Sequence, residues 1–241
     1  MAHHSDRTNT GLYRPSMHRD NCGVGFVVDM QGRATHEIVQ QGLEILQNLT
    51  HRGAVGADAY TGDGAGILMQ KPHAFLQKAA KEAGIELPGD AADYGTGLVF
   101  LPADDAAARD CMATVERIAA EEGQQVLGWR EVEVHPEEIG DIAREVLPTI
   151  RQVFIGRGDK TGVEQLELKL LVIRKRVEHT INADHPEHAD FFHIPSLSAR
   201  TLVYKGLLLA EQVPAFYPDL NDPDMVSALA LVHQRFSTNT H

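Results

Sequence analysis

The stretch "CGVGFVVDM", residues 22–30, decides how the chain is read, because it sets a thiol and two glycines at the head of an apolar, strand-like run. An unpaired cysteine is most often a small buried hydrophobe. Outward from this stretch, Glu37 opens a segment whose apolar residues Ile38, Leu43, Ile45, Leu46 and Leu49 fall at mostly helical spacing. The order strand, helix, "HRG" follows. "TGDGAGILMQKP" predicts a glycine turn and a short strand, with Pro72 suited to the first turn of a helix through "HAFLQKAAKEAG". "YGTGLVFLP" predicts a buried strand. "DDAAARDCMATVERIAAEEG" predicts an amphipathic helix ended by Gly123, and "QQVLGWREVEV" another strand.

Further on, a short helix near 139–147, an apolar strand "RQVFIG" and a long helix over roughly 163–182 are expected. A histidine-rich loop follows, then two extended segments, "FFHIPSLSARTLVYKGLLL" and "SALALVHQRFST". Helices and strands mix along the whole chain, which places it among layered α/β or α+β domains. No internal repeat and no low-complexity linker divides it.

The 241 residues, 43% of them hydrophobic, suffice for a normal core. With 34 acidic and 22 basic side chains the net charge is −12, and no basic stripe fits a nucleic-acid backbone. Residues 1–21 hold no apolar signal core, and no apolar run reaches membrane-spanning length, so a cytoplasmic protein with neither nucleic-acid nor membrane partner is expected. Cys22 and Cys111 are too few for a zinc site or a disulfide scaffold.

Several features have bland readings. "TGDGAG" matches no nucleotide-cradling pattern and is expected to be a tight turn. His179, His185, His188 and His193 lie close together in sequence, but their spacing matches no helical ligand pair and Pro186 interrupts them. A solvated loop without metal is the expectation, with a metal-dependent hydrolase as the competing one. Cys111, in an alanine-rich helix, is expected to be a buried structural thiol. Cys22 differs in its company: two arginine-centred turns, "THRGAVGAD" around Arg52 and "HQRFSTN" around Arg235. A guanidinium fork is well suited to hold a carboxylate.

Together the words "RDNCGVGFV", "LTHRGAVGADAYTGDGAGILMQKP", "SLSARTLVYKGLL", "FYPDL" and "LVHQRFSTNT" resemble the glutaminase domain of the glutamate synthase branch of class II glutamine amidotransferases, from about Asp20 to the last residue. The resemblance implies the α+β fold of the N-terminal nucleophile hydrolases, a four-layer αββα sandwich, incomplete in this chain. Residues 1–21 would be a leader and 22–241 the N-terminal portion of the amidotransferase domain. Cleavage of Asn21–Cys22 would free an α-amine, ordinarily titrating near 7.7–8.0, to serve as base for its own thiol. On the same resemblance Cys22 is the nucleophile that releases ammonia from L-glutamine. Arg235 clamps the substrate carboxylate, and Arg52 has a positioning role. Gly23 and Gly25 are expected to keep the backbone open to substrate.

The family's "HNGE"-like oxyanion stretch does not occur before His241, so the piece alone is expected to be inactive. No cofactor is expected in this segment. The flavin mononucleotide and iron–sulfur cluster implied by the resemblance belong to absent parts of the parent enzyme, and the remaining synthase domains and an electron-delivering subunit are the implied partners. A non-catalytic glutamine-binding or subunit-interaction protein on the same fold is the alternative.

Overall fold

The computed structural model describes residues 23–52, 58 and 60–235. It is a mixed α+β structure with two antiparallel sheets and six helices. The strands are β1 (Gly23–Val28), β2 (Ala65–Gln70), β3 (Tyr94–Leu101), β4 (Gln125–Glu131), β5 (Thr149–Gly156), β6 (Thr201–Gly206) and β7 (Leu229–Gln234). The helices are α1 (His36–Asn48), α2 (His73–Glu82), α3 (Asp105–Glu121), α4 (Asp141–Glu145), α5 (Val163–Asp184) and α6 (Gln212–Phe216).

The larger sheet has the order β1-β7-β2-β6. Alternation along its strands gives each face a distinct character. One face buries Ala65, Ile67, Met69, Leu202, Tyr204, Ala230 and Val232 in a core shared with Val39, Leu43 and Leu46 of α1. Thr35 caps α1 by accepting a hydrogen bond from the Ile38 N–H. Gly42 lets the helix sit close, because a Cβ there would lie 2.6 Å from that of Ala230. The other face turns Val24, Phe26, Val28 and Leu231 outward, Phe26 with 70% of its surface exposed, and among the described residues no second sheet covers it.

In the smaller sheet, of order β3-β5-β4, β3 and the second half of β5 are buried on both sides, which explains their largely apolar runs. Val99, Leu101, Val153 and Ile155 pack on α3 and α5, while Tyr94, Leu98, Ile150 and Phe154 face the core shared with the larger sheet. Gly95 is required by the Leu170 side chain of α5, which would stand 2.2 Å from a Cβ.

Polar links join the two sheets. Lys71, just beyond β2, donates to the carbonyls of Ala91 (2.5 Å) and Tyr94 (2.6 Å) and stands 3.8 Å over the Tyr94 ring. Burial lowers its ammonium to about 8. Arg130 of β4 donates to Asp219 (2.5 Å) and to Gln152 of β5 (2.8 Å), and the Tyr204 hydroxyl of β6 donates to the second oxygen of Asp219 (2.8 Å).

Two expectations need correction. The segment 191–209 is not one long strand: only 201–206 form β6, while His193 and Ser198 make isolated bridges to Phe100 and Thr96 of β3. Pro195, lacking an N–H, stands between those bridges. The open-backbone role of Gly25 also changes, since a Cβ there would point into α1, 2.4 Å from Ile45 Cγ2. Its small size serves helix–strand packing. Cys111 is the expected buried thiol, raised to about 11 by burial first and then by neighbouring Asp110.

Candidate active site

Register places the motifs. β1 and β2 both pair antiparallel with β7, so that Gly23 and Ala65 each face Gln234. Gly23 follows Cys22 in sequence, Ala65 follows Gly64, and Gln234 precedes Arg235. Three stretches separated by some 40 to 170 residues therefore meet at one end of the sheet. Cys22 itself lies outside the described residues. Arg52 ends the 3₁₀ turn Thr50–Arg52 that follows α1; its side chain is outside the described residues. That turn is tied to the helix by the Thr50 hydroxyl, which donates to the Gln47 carbonyl (2.5 Å).

Arg235 is the one non-glycine residue with positive φ among those described, at 74°. Such a backbone costs on the order of 1–2 kcal/mol and persists only where neighbours enforce it. Here the Arg235 N–H donates to the Gly64 carbonyl at 2.7 Å, and Gly64 adopts φ 118°, a conformation suited to glycine. The guanidinium Nε stands 3.6 Å from Asp63 Oδ2, and both side chains are about one third exposed. "TGDGAG" is a bend at Asp63 that runs directly into β2, and through Gly64 and Asp63 it sets the orientation of the arginine.

Beside this pair lies a cleft of about 310 Å³ whose wall is largely apolar, with Ile67, Leu68, Val203 and Leu231, and whose polar lining side chains are Lys205, His233 and Arg235. Gly66 faces both Lys205 and His233 across the ladder, and a Cβ there would meet Lys205 Cβ at 2.7 Å. Burial, and after it the Arg174 cation, lower the Lys205 ammonium. His233 Nε2 is buried and meets no hydrogen-bond partner among the described residues, and the same holds for Gln234 Oε1. Basic side chains around a bare backbone step suit a small anionic substrate portion, with Asp63 as the acidic counterweight. Sequence reasoning assigned no role to Asp63, Lys205, His233 or Gln234, although each lies inside a quoted motif. Their common position became visible only through strand register.

The four histidines of the polar segment do not gather into one site. His179 is on α5; His185 and His188 stack on each other; His193 lies across β3, its imidazole lowered to about 4 by burial and then by the Lys205 and Arg174 cations.

Comparison with known proteins identifies the family. The family "Glutamine amidotransferases class-II" matches residues 22–241. The chain is 48% identical over 231 residues to the glutamate synthase [NADPH] large chain of Bacillus subtilis, covering 95% of the chain and 15% of that protein. Identity to the Azospirillum brasilense large chain is 40% over 234 residues, covering 97% of the chain and 15% of the relative. Identity to ferredoxin-dependent glutamate synthase 1 of Arabidopsis thaliana is 37% over 222 residues, covering 92% and 14%. The chain spans no more than 15% of the length of these relatives. With the family matched from the strand-leading cysteine through the arginine turn that closes on Gly64, the chain belongs to the class II glutamine amidotransferases.

Proposed function

We propose that the chain, as part of a longer glutamate synthase, contributes the nucleophile and the substrate clamp that hydrolyse the side-chain amide of L-glutamine and supply ammonia to the remainder of that enzyme. The Cys22 thiolate attacks the amide carbon and the C–N bond breaks. The nitrogen takes a proton and leaves as ammonia, and a γ-glutamyl thioester remains. Water then attacks the thioester, giving glutamate and the thiol. The observation that carries the reading is the register that brings Gly23, Gly64 and Arg235 to one sheet end beside the cleft that Lys205, His233 and Arg235 line.

On this reading Arg235 takes the substrate α-carboxylate in a bidentate grip, and Asp63 orients it by engaging Nε. Flavin and iron–sulfur chemistry belongs elsewhere in the parent enzyme. A cluster needs about four cysteine ligands, and the chain has two, one of them buried in α3.

The test is steady-state glutaminase kinetics in the full-length protein. Arg235→Lys keeps the charge and loses the fork, so KM for glutamine is expected to rise about 10- to 30-fold with kcat nearly unchanged. Asp63→Asn is expected to raise KM by about two- to fivefold, the scale of a part-exposed ion pair. An unaltered KM in Arg235→Lys rejects the clamp.

A further inference from the structure

The turn after α5 holds a ligand set that the sequence spacing conceals. His185 caps the helix, its N–H donating to the Ile181 carbonyl (2.9 Å), and Pro186 starts a 3₁₀ turn through His188. The turn carries the chain round so that His185 and His188 stack, ring centroids 5.6 Å apart and planes 14° from parallel. His185 Nδ1 and His188 Nε2 each stand 3.7 Å from the same Glu187 oxygen, Oε1. All three donor atoms lie within 4.8 Å of one another.

We propose that His185, Glu187 and His188 bind one borderline divalent transition-metal ion, zinc being the reference case, and that the ion clamps the exit of α5. Two imidazoles and one carboxylate are a donor set that suits zinc, nickel or copper and not magnesium. Donors about 2.0–2.2 Å from a tetrahedral ion stand about 3.3–3.6 Å apart, so the two 3.7 Å separations from Glu187 need to close by a few tenths of an ångström, and the two imidazole donors, within 4.8 Å of each other, by at most about 1.5 Å. Side chains able to move that far are present, since Glu187 is well exposed and His185 about one third exposed.

The backbone beneath them is already ordered. The His188 N–H donates to the His185 carbonyl (2.9 Å), and the Phe192 N–H donates to the His188 carbonyl (3.0 Å). Ile181 on one side and Phe192 on the other are buried in the core around α3 and α5. Little chain entropy remains to be lost on binding, and the net charge of −12 favours a cation. The ion would carry three protein ligands with a water completing the set, and it would hold the turn that leads into the His193 bridge to β3.

The experiment is calorimetric titration of the chain, stripped with a chelator, with zinc chloride and separately with magnesium chloride, alongside thermal melts. One zinc per chain, no magnesium binding and a zinc-dependent rise in Tm are expected. His185→Ala/His188→Ala should lower zinc affinity by about tenfold or more and abolish the Tm response. Glu187→Gln, which preserves size and both rings, should weaken zinc binding measurably and covers the case in which the double variant does not fold. Absence of zinc uptake by the unsubstituted chain overturns the proposal. So does uptake that is equally strong in the variants, which would place the ion on other groups such as His3, His4 or Cys22.

Discussion

Full-length protein carrying Cys22→Ser is expected to release ammonia from glutamine about 10⁴-fold more slowly, or not measurably, while its Tm stays at the unsubstituted value. A thiol is a few per cent ionised at neutral pH, and an α-amine titrating near 7.7–8.0 can take its proton. A serine hydroxyl is far less acidic, so the same amine leaves it un-ionised. The exchange replaces sulfur by oxygen at nearly constant side-chain shape, so the fold has little stake in it. Assay of ammonia release beside a melting curve separates the two effects. Activity within tenfold of the unsubstituted protein would dismiss Cys22 as nucleophile, and a matching fall in Tm would mark the thiol as structural.

The largest expected loss of stability comes from Asp219→Ala. Its carboxylate receives Arg130 at 2.5 Å and the Tyr204 hydroxyl at 2.8 Å, with all three side chains buried. Burial and the adjacent Asp219 charge drive the Tyr204 hydroxyl well above its ordinary range, so it remains a donor. Removing the carboxylate strands a guanidinium in the interior between the two sheets, at a cost of about 3–5 kcal/mol. For a chain of this size that corresponds to a Tm about 6–20 °C lower. Arg130→Met combined with Asp219→Ala should recover much of the loss, because no uncompensated charge remains. Denaturant melts of the two variants beside the unsubstituted protein measure it, and a loss below about 1 kcal/mol for Asp219→Ala would remove this network from the list of stabilising contacts.

Much of the fold could be read from periodicity. The helical spacing of Ile38, Leu43 and Leu46, the apolar runs of β3 and β5, and Gly123 closing α3 at φ 75° all appear where local pattern placed them. What escaped was non-local or very short. Helix α6 has five residues, with Pro214 among them, too few for a periodic signal. The extended reading of 191–209 followed composition, whereas Pro195 and the single bridges at His193 and Ser198 depend on where β3 lies. In the site, Cys22, Arg52 and Arg235 were named from residue type and motif. The pairing of Arg235 with Asp63, and its left-handed backbone closing on Gly64, required the register of β7 between two distant strands. His185 and His188 meet through a proline-started turn, a geometry that helical spacing rules overlook.

The position of β7 has a consequence for synthesis on the ribosome. β1 and β2 do not pair with each other; β2 also pairs with β6, whereas β1 waits for β7, which begins at Leu229. At about 5–20 residues per second, some 200 residues separate β1 from its partner by about 10–40 s. Throughout that interval β1 lacks its β7 ladder and leaves its backbone N–H and C=O groups open to wrong strand pairing. The three-stranded sheet, whose members all lie between residues 94 and 156, can form meanwhile. Translation pauses before residue 229 therefore lengthen the time for which β1 lacks its partner.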